Sequence, residues 1–250
     1  MKNENDFIRW QDAQVPEVTA TYMPVPHQTL LDLVREKLIE EGYTINRENV
    51  EQSFDGQVIS AHFILGKSAE DNAYGFTQEF GVINSYNKRK PILFASGGHV
   101  FICGNGMVVS EMTVVRKHTS RVWDEIDEKL DQAVGRMEDN WKKLINDVMS
   151  MTNVELNLTQ KAELLGRLFV EEGVITITEL SKIKMEISQP TFDYESDGTL
   201  WELYNHCTLV LKEAHIMRKT KALKELHDFM VDYANDYLTI HSEVLYNGEE

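Results

Sequence analysis

Long apolar runs, cysteines and cations are all scarce in this chain. No stretch of 18 apolar residues occurs in its 250 residues, so no transmembrane helix is expected. The two cysteines, Cys103 and Cys207, are too few for a disulfide framework. The opening residues, MKNENDFIRWQDAQ, lack the apolar stretch of a secretory signal. Together these absences predict a protein of a reducing cytoplasm, in a bacterium or an infected cell, with no membrane partner. Lysine and arginine number 25 against 41 acids, a net charge of −16. That balance weighs against sequence-independent coating of nucleic acid, which depends on cations neutralising phosphates. It leaves room for a local basic groove, because distribution matters more than the sum. Gly-x-Ser-x-Gly, Walker A and His-Glu-x-x-His patterns are also missing.

What is present is an ordinary globular composition, 42% hydrophobic and 26% charged, and enough chain to bury a core without staples. Residues 1–26 hold Pro16, Pro24 and Pro26 and read as an arm. His27 to Gly42 reads as an amphipathic helix with Leu30, Leu31, Val34, Leu38 and Ile39 on one stripe. The period then falls to two. Val58, Ser60, His62 and Ile64 alternate with Ile59, Ala61, Phe63 and Leu65, which suits a buried strand. Tyr74 to Val82, Ile92–Ala95, His99–Cys103 and Met107–Val115 are further strands, punctuated by Gly97-Gly98 and Gly104-Asn105-Gly106. Asp55-Gly56 is a hairpin turn between apolar runs. From Thr119 onward the period is helical. Trp123, Ile126, Leu130, Val134, Met137, Trp141, Leu144 and Val148 predict one long helix of about 30 residues. Helices follow at Thr159–Glu172, Glu179–Glu186, Thr199 to about Met217, and Lys221–Tyr237, before a frayed end. The expected fold is α+β: an N-terminal helix, a central mainly antiparallel sheet, and a helical C-terminal half with one long amphipathic helix. The expected organisation is an arm (1–26), an α+β core (27–150) and a helical region packed on it (151–250).

One segment reverses the charge. Gly81 to Val122 carries Lys88, Arg89, Lys90, Arg116, Lys117 and Arg121 against a single acid, Glu111, while the sequence on either side is net negative. A local reversal of this kind is where an anionic partner docks. Lys88-Arg89-Lys90 precedes Pro91 and belongs in a loop. Arg116 to Arg121 lies at a strand-to-helix junction, where Thr119 or Ser120 would cap the helix and its first N–H groups would join the cations in holding phosphate. His118 belongs to this set, and Tyr86, with Tyr74 and Phe101 nearby, would stack on bases. A third basic cluster, Arg218, Lys219, Lys221 and Lys224, reads as compensation of a helix C-terminus.

Other chemistries fit less well. His99 and Cys103, four apart on a strand, lie about 13 Å apart, and His206 and Cys207 diverge on a helix, so metal binding is not expected. Cys103 follows Val100-Phe101-Ile102 and reads as an inert core thiol; Ser85 and His118 are the other groups with nucleophilic or basic character in the segment. No cofactor is implied.

Four segments resemble the phage- and plasmid-associated family known as domain of unknown function 932. They are Val25-Pro26-His27-Gln28-Thr29-Leu30-Leu31; the turn Asn84-Ser85-Tyr86-Asn87; Phe101-Ile102-Cys103-Gly104-Asn105-Gly106-Met107 with Arg116-Lys117-His118-Thr119; and Leu200-Trp201-Glu202-Leu203-Tyr204-Asn205-His206-Cys207-Thr208. Tyr86 and Asn87 stand where the family pattern has His and Asp. The resemblance implies a mobile-element setting and no particular activity. Helix, antiparallel sheet and long helix is also the layout of single-strand annealing proteins. The expected function is therefore non-enzymatic binding of single-stranded nucleic acid by a homo-oligomer. The alternative is an acidic phage protein that binds and inhibits a basic host protein, as a DNA mimic does.

Overall fold

The computed structural model describes residues 8–66, 76–100, 105–192 and 198–246. Helix α1 (His27–Glu40) leads into five strands, β1 (Thr44–Ser53), β2 (Val58–Gly66), β3 (Phe76–Ser85), β4 (Ile92–Val100) and β5 (Asn105–Arg116). Six helices follow: α2 (Val122–Gly135), α3 (Met137–Thr152), α4 (Leu158–Val170), α5 (Ile177–Ser188), α6 (Leu200–Leu211) and α7 (Ile216–Tyr246). The sheet order is β1-β2-β3-β4-β5, an antiparallel meander. The α+β expectation holds, and among the described residues no helix is long and apolar enough to cross a membrane.

The chain forms two compact units, Met1–His99 with Glu111–Trp141, and Val100–Ser110 with Lys142–Glu250. In the first, alternation along the strands turns Ile59, Ala61, Phe63, Leu65, Phe80, Val82 and Phe94 to one face. Leu30, Leu31, Val34 and Leu38 of α1 and Val122, Ile126 and Leu130 of α2 complete that core. Phe63 pairs with Phe80 and Ala61 with Val82 across β2 and β3. Burying one such side chain contributes roughly 1.5–3 kcal/mol, so this face fixes the register of the sheet. Asp55 and Gly56 turn the β1–β2 hairpin at positive φ (54° and 77°), as expected for Asp-Gly. Gly56 has a second reason to be glycine: a Cβ there would meet the Trp10 Cα at 2.7 Å.

In the second unit, Asn157 and Thr176 form capping boxes with Gln160 and Glu179, and Thr199 caps α6 as expected. Helix α6 is buried on nearly every side. Its Tyr204 hydroxyl meets His227 Nδ1 (3.3 Å), and His227 Nε2 meets Asp147 (3.1 Å). Cys207 is buried, which pushes its thiol pKa up and leaves it unreactive.

The long helix is two helices. Arg136, at φ −93° and ψ −4°, separates α2 from α3. Gly135, a poor helix former, precedes it. The buried stripe Leu130, Val134, Met137, Trp141 and Leu144 continues across the break, which is why periodicity reads one helix. Two expected stripe residues are misplaced: Ile39 is 62% exposed and Trp123 is 38% exposed, with Val122 buried in its place. Gly97-Gly98 does not interrupt its strand but lies buried inside β4. Asn105 and Gly106 begin β5 rather than turn; Gly104, Cys103, Phe101 and Tyr74 lie outside the described residues. Helix α6 stops at Leu211, and α7 continues past Tyr237 to Tyr246.

Candidate nucleic-acid interface

The site begins with a buried histidine. His27 opens α1 and is 1% exposed. Its Nε2 is 3.0 Å from the Gly56 carbonyl and its Nδ1 is 3.0 Å from Asn84 Nδ2. Asn84 also donates to the Val25 carbonyl (2.8 Å) and accepts from the Ser85 N–H (2.9 Å). The Tyr86 ring stacks on His27 with centroids 3.8 Å apart, and its hydroxyl accepts from the His27 N–H at 2.7 Å. Tyr22 donates to the Tyr86 carbonyl (3.0 Å). Two of the family-like segments, 25–31 and 84–87, therefore meet as one buried network.

A third family-like segment joins them at Tyr22. The His118 ring lies 5.7 Å from the Tyr22 ring, and the Met23 N–H donates to the His118 carbonyl. From the other side, Lys88 Nζ lies 4.4 Å over the Tyr22 ring, a cation–π contact. The two basic ends of the 81–122 segment, far apart in sequence, are thus brought to one aromatic side chain. Tyr22 was not legible as part of the site, because it lies in the proline-bearing arm, where only a short alternation of Val18, Ala20 and Tyr22 is seen.

The loop carrying Lys88 is closed by Ser85, whose hydroxyl donates to the Lys90 carbonyl (2.8 Å) and accepts its N–H (3.1 Å). That is the role of Ser85 here, rather than a nucleophile's. Lys88 is at φ 61°, in the left-handed region uncommon for a residue with a side chain. Lys88 and Arg89 are exposed, Lys90 is half-buried, and Arg89 lies 4.5 Å over the Phe54 ring. Lys117 is exposed. None of these four has a carboxylate within ion-pair distance among the described residues.

The other expected contacts are differently employed. Arg116 is buried, donates to the Lys117 carbonyl (2.8 Å) and Thr119 Oγ1 (2.9 Å), and pairs with Glu125 at 3.1 Å. Thr119 is therefore engaged with Arg116, and α2 starts at Val122 with Arg121 at its N-cap and no side-chain cap. Arg121 is exposed but also meets Glu125, at 3.4 Å. His118 is 8% exposed and Tyr86 is 5% exposed. Tyr86 cannot offer a face to a base, because His27 covers it. Phe54 and Trp123, both 38% exposed, lie beside these cations in space or sequence, and Arg89 already covers the Phe54 ring. The third basic cluster lies at the start of α7, not at a C-terminus, and three of its four charges are paired. Arg218 meets Glu179 (2.6 Å), Lys221 meets Glu225 (3.3 Å) and Lys224 meets Asp228 (3.3 Å). Among the described residues no group of three metal-ligating side chains occurs.

Burial lowers the His27 pKa to about 4, opposed by the bond to the Gly56 carbonyl and helped by nearby His118. Burial also lowers His118, opposed by the Met23 backbone and helped by Arg116. Unfolded histidine titrates near 6.5, so the unfolded chain binds the extra proton between those values. Stability from neutral His27 is complete above about pH 6.5 and is lost as pH falls toward 4. The loss is on the order of 3 kcal/mol. Urea unfolding at neutral and at mildly acid pH should show it. His27→Gln should flatten the dependence, and an unchanged pH slope in that variant would refute the assignment.

No curated protein and no solved structure matches the chain. The family described as domain of unknown function (DUF932) matches residues 16–229. That span includes the His27 network, both basic ends and α6, and the chain belongs to this family of phage- and plasmid-associated proteins.

Proposed function

We propose that the protein binds single-stranded nucleic acid without altering it chemically, through Lys88, Arg89, Lys90 and Lys117, with Arg121 at the margin. The observation that carries this reading is the convergence of the two basic ends on Tyr22. In a chain of net charge −16, four cations without carboxylate partners among the described residues form a local site for a polyanion. Trp123, 38% exposed, replaces Tyr86 as the stacking surface. Arg116, His118, Tyr86 and Asn84 hold the loops in place rather than touch the strand. Four phosphate contacts give weak binding alone, so a homo-oligomer that repeats the patch along one strand supplies the avidity.

The test is fluorescence anisotropy with a labelled single-stranded oligonucleotide over a salt series. Four contacts predict a slope of log affinity against log salt on the order of −3 per protomer. Absence of binding at low salt sinks the proposal. Recovery of one basic host protein from lysate, without nucleic acid, would then favour the acidic-surface alternative.

A further inference from the structure

On the face of β2 and β3 away from the core, three polar side chains are arranged in series. Ser60 and His62 alternate with Ile59, Ala61 and Phe63 along β2, so both point to the opposite side from those core residues. Glu79 faces the same way from β3, where it pairs with Ile64, and Gly81 pairs with His62. His62 Nδ1 is 2.6 Å from Glu79 Oε1, and Ser60 Oγ is 3.1 Å from His62 Nε2.

We propose that Ser60 is an activated nucleophile, with His62 as its general base and Glu79 as a positioning residue, acting on small carboxylic esters. A carboxylate only accepts hydrogen bonds, so neutral His62 carries its proton on Nδ1 and leaves Nε2 to accept from the Ser60 hydroxyl. That is the order a nucleophile, a base and an orienting group require. Ser60 Oγ bonds to the ester carbonyl carbon while its proton passes to Nε2. The C–O bond to the alcohol breaks, and that proton leaves with the alcohol. Water then attacks the acyl-Ser60, giving one proton to Nε2, which returns it to Oγ as the acid departs. Ser60 is 5% exposed and the His62 side chain 27% exposed, so reagents approach past the imidazole edge and bulky ones are excluded. The assignment is independent of the basic loops.

The test is a small fluorophosphonate probe on the full chain. Ser60 Oγ bonds to phosphorus, fluoride leaves, and the proton goes to His62. Intact mass and peptide mapping should find one adduct, on Ser60. His62→Ala should slow labelling by about 100-fold or more. Glu79→Gln should slow it and shift the pH midpoint of the labelling rate, which loss of a merely structural contact would not do. Hydrolysis of phenyl acetate should fall in parallel. An unlabelled wild-type chain, an adduct on another serine, or an unchanged rate in His62→Ala overturns the proposal. The wild-type mapping decides the matter even where a variant fails to fold.

Discussion

Reversing the charge of Lys88 and Lys117 together, as Lys88→Glu with Lys117→Glu, is expected to weaken single-strand binding by about 100-fold at 0.1 M salt. Each phosphate contact on a single strand contributes about 0.7 to the logarithmic salt slope. Removing both contacts therefore costs roughly 25-fold at 0.1 M, and the two added carboxylates together weaken binding by about a further 4-fold. Both side chains are exposed, so the fold is little disturbed beyond the loss of the Lys88–Tyr22 contact, about 0.5–1 kcal/mol. The control is Lys221→Glu with Lys224→Glu, which makes the same change in net charge at residues already paired with Glu225 and Asp228. Its effect should stay within a few-fold. Equal weakening by the two pairs would mean that total charge matters and the Tyr22 loops do not.

The largest effect on stability should come from Asn84→Ala, a loss of about 4 kcal/mol in urea unfolding. Asn84 is fully buried and is the one side chain that joins the Val25 carbonyl, the His27 ring and the Ser85 N–H. Alanine removes those partners at once, and each buried group left unpaired costs about 1–3 kcal/mol. The arm and α1 would lose their polar tie to the end of β3. Asn84→Asp separates hydrogen bonding from shape. It keeps the acceptor but places a negative charge beside His27, so that variant should raise the His27 pKa and lose less stability in mild acid than at neutral pH. A loss under about 1 kcal/mol for Asn84→Ala would show that water replaces the side chain.

These two predictions divide along what was legible in advance. The basic ends were visible as a charge reversal, since charge is a property of residue type alone. Their meeting was not, because Tyr22 contributes no charge or motif. Tyr86 looked like a stacking platform because an aromatic beside lysines fits that role. His27, 59 positions away, is what covers it. Arg116 looked like a phosphate ligand until Glu125, one helical turn into α2, claimed it. The Ser60–His62–Glu79 series was hidden for a related reason. Ser60 and His62 share a face by strand alternation, but Glu79 joins them only through the register of β2 on β3.

The sequence by itself determined the element types and the segment where cations outnumber acids. Both follow from local periodicity and composition, which need no partner in space. It also set the Asp55-Gly56 turn and the Thr199 cap, where one residue's backbone preference decides the outcome. Only the tertiary structure decided which charges are free. An ion pair or a stacked ring depends on residues that the chain brings together from a distance. The same dependence turned one periodic stripe into two helices, since burial of Met137 and Trp141 tolerates the break after Gly135.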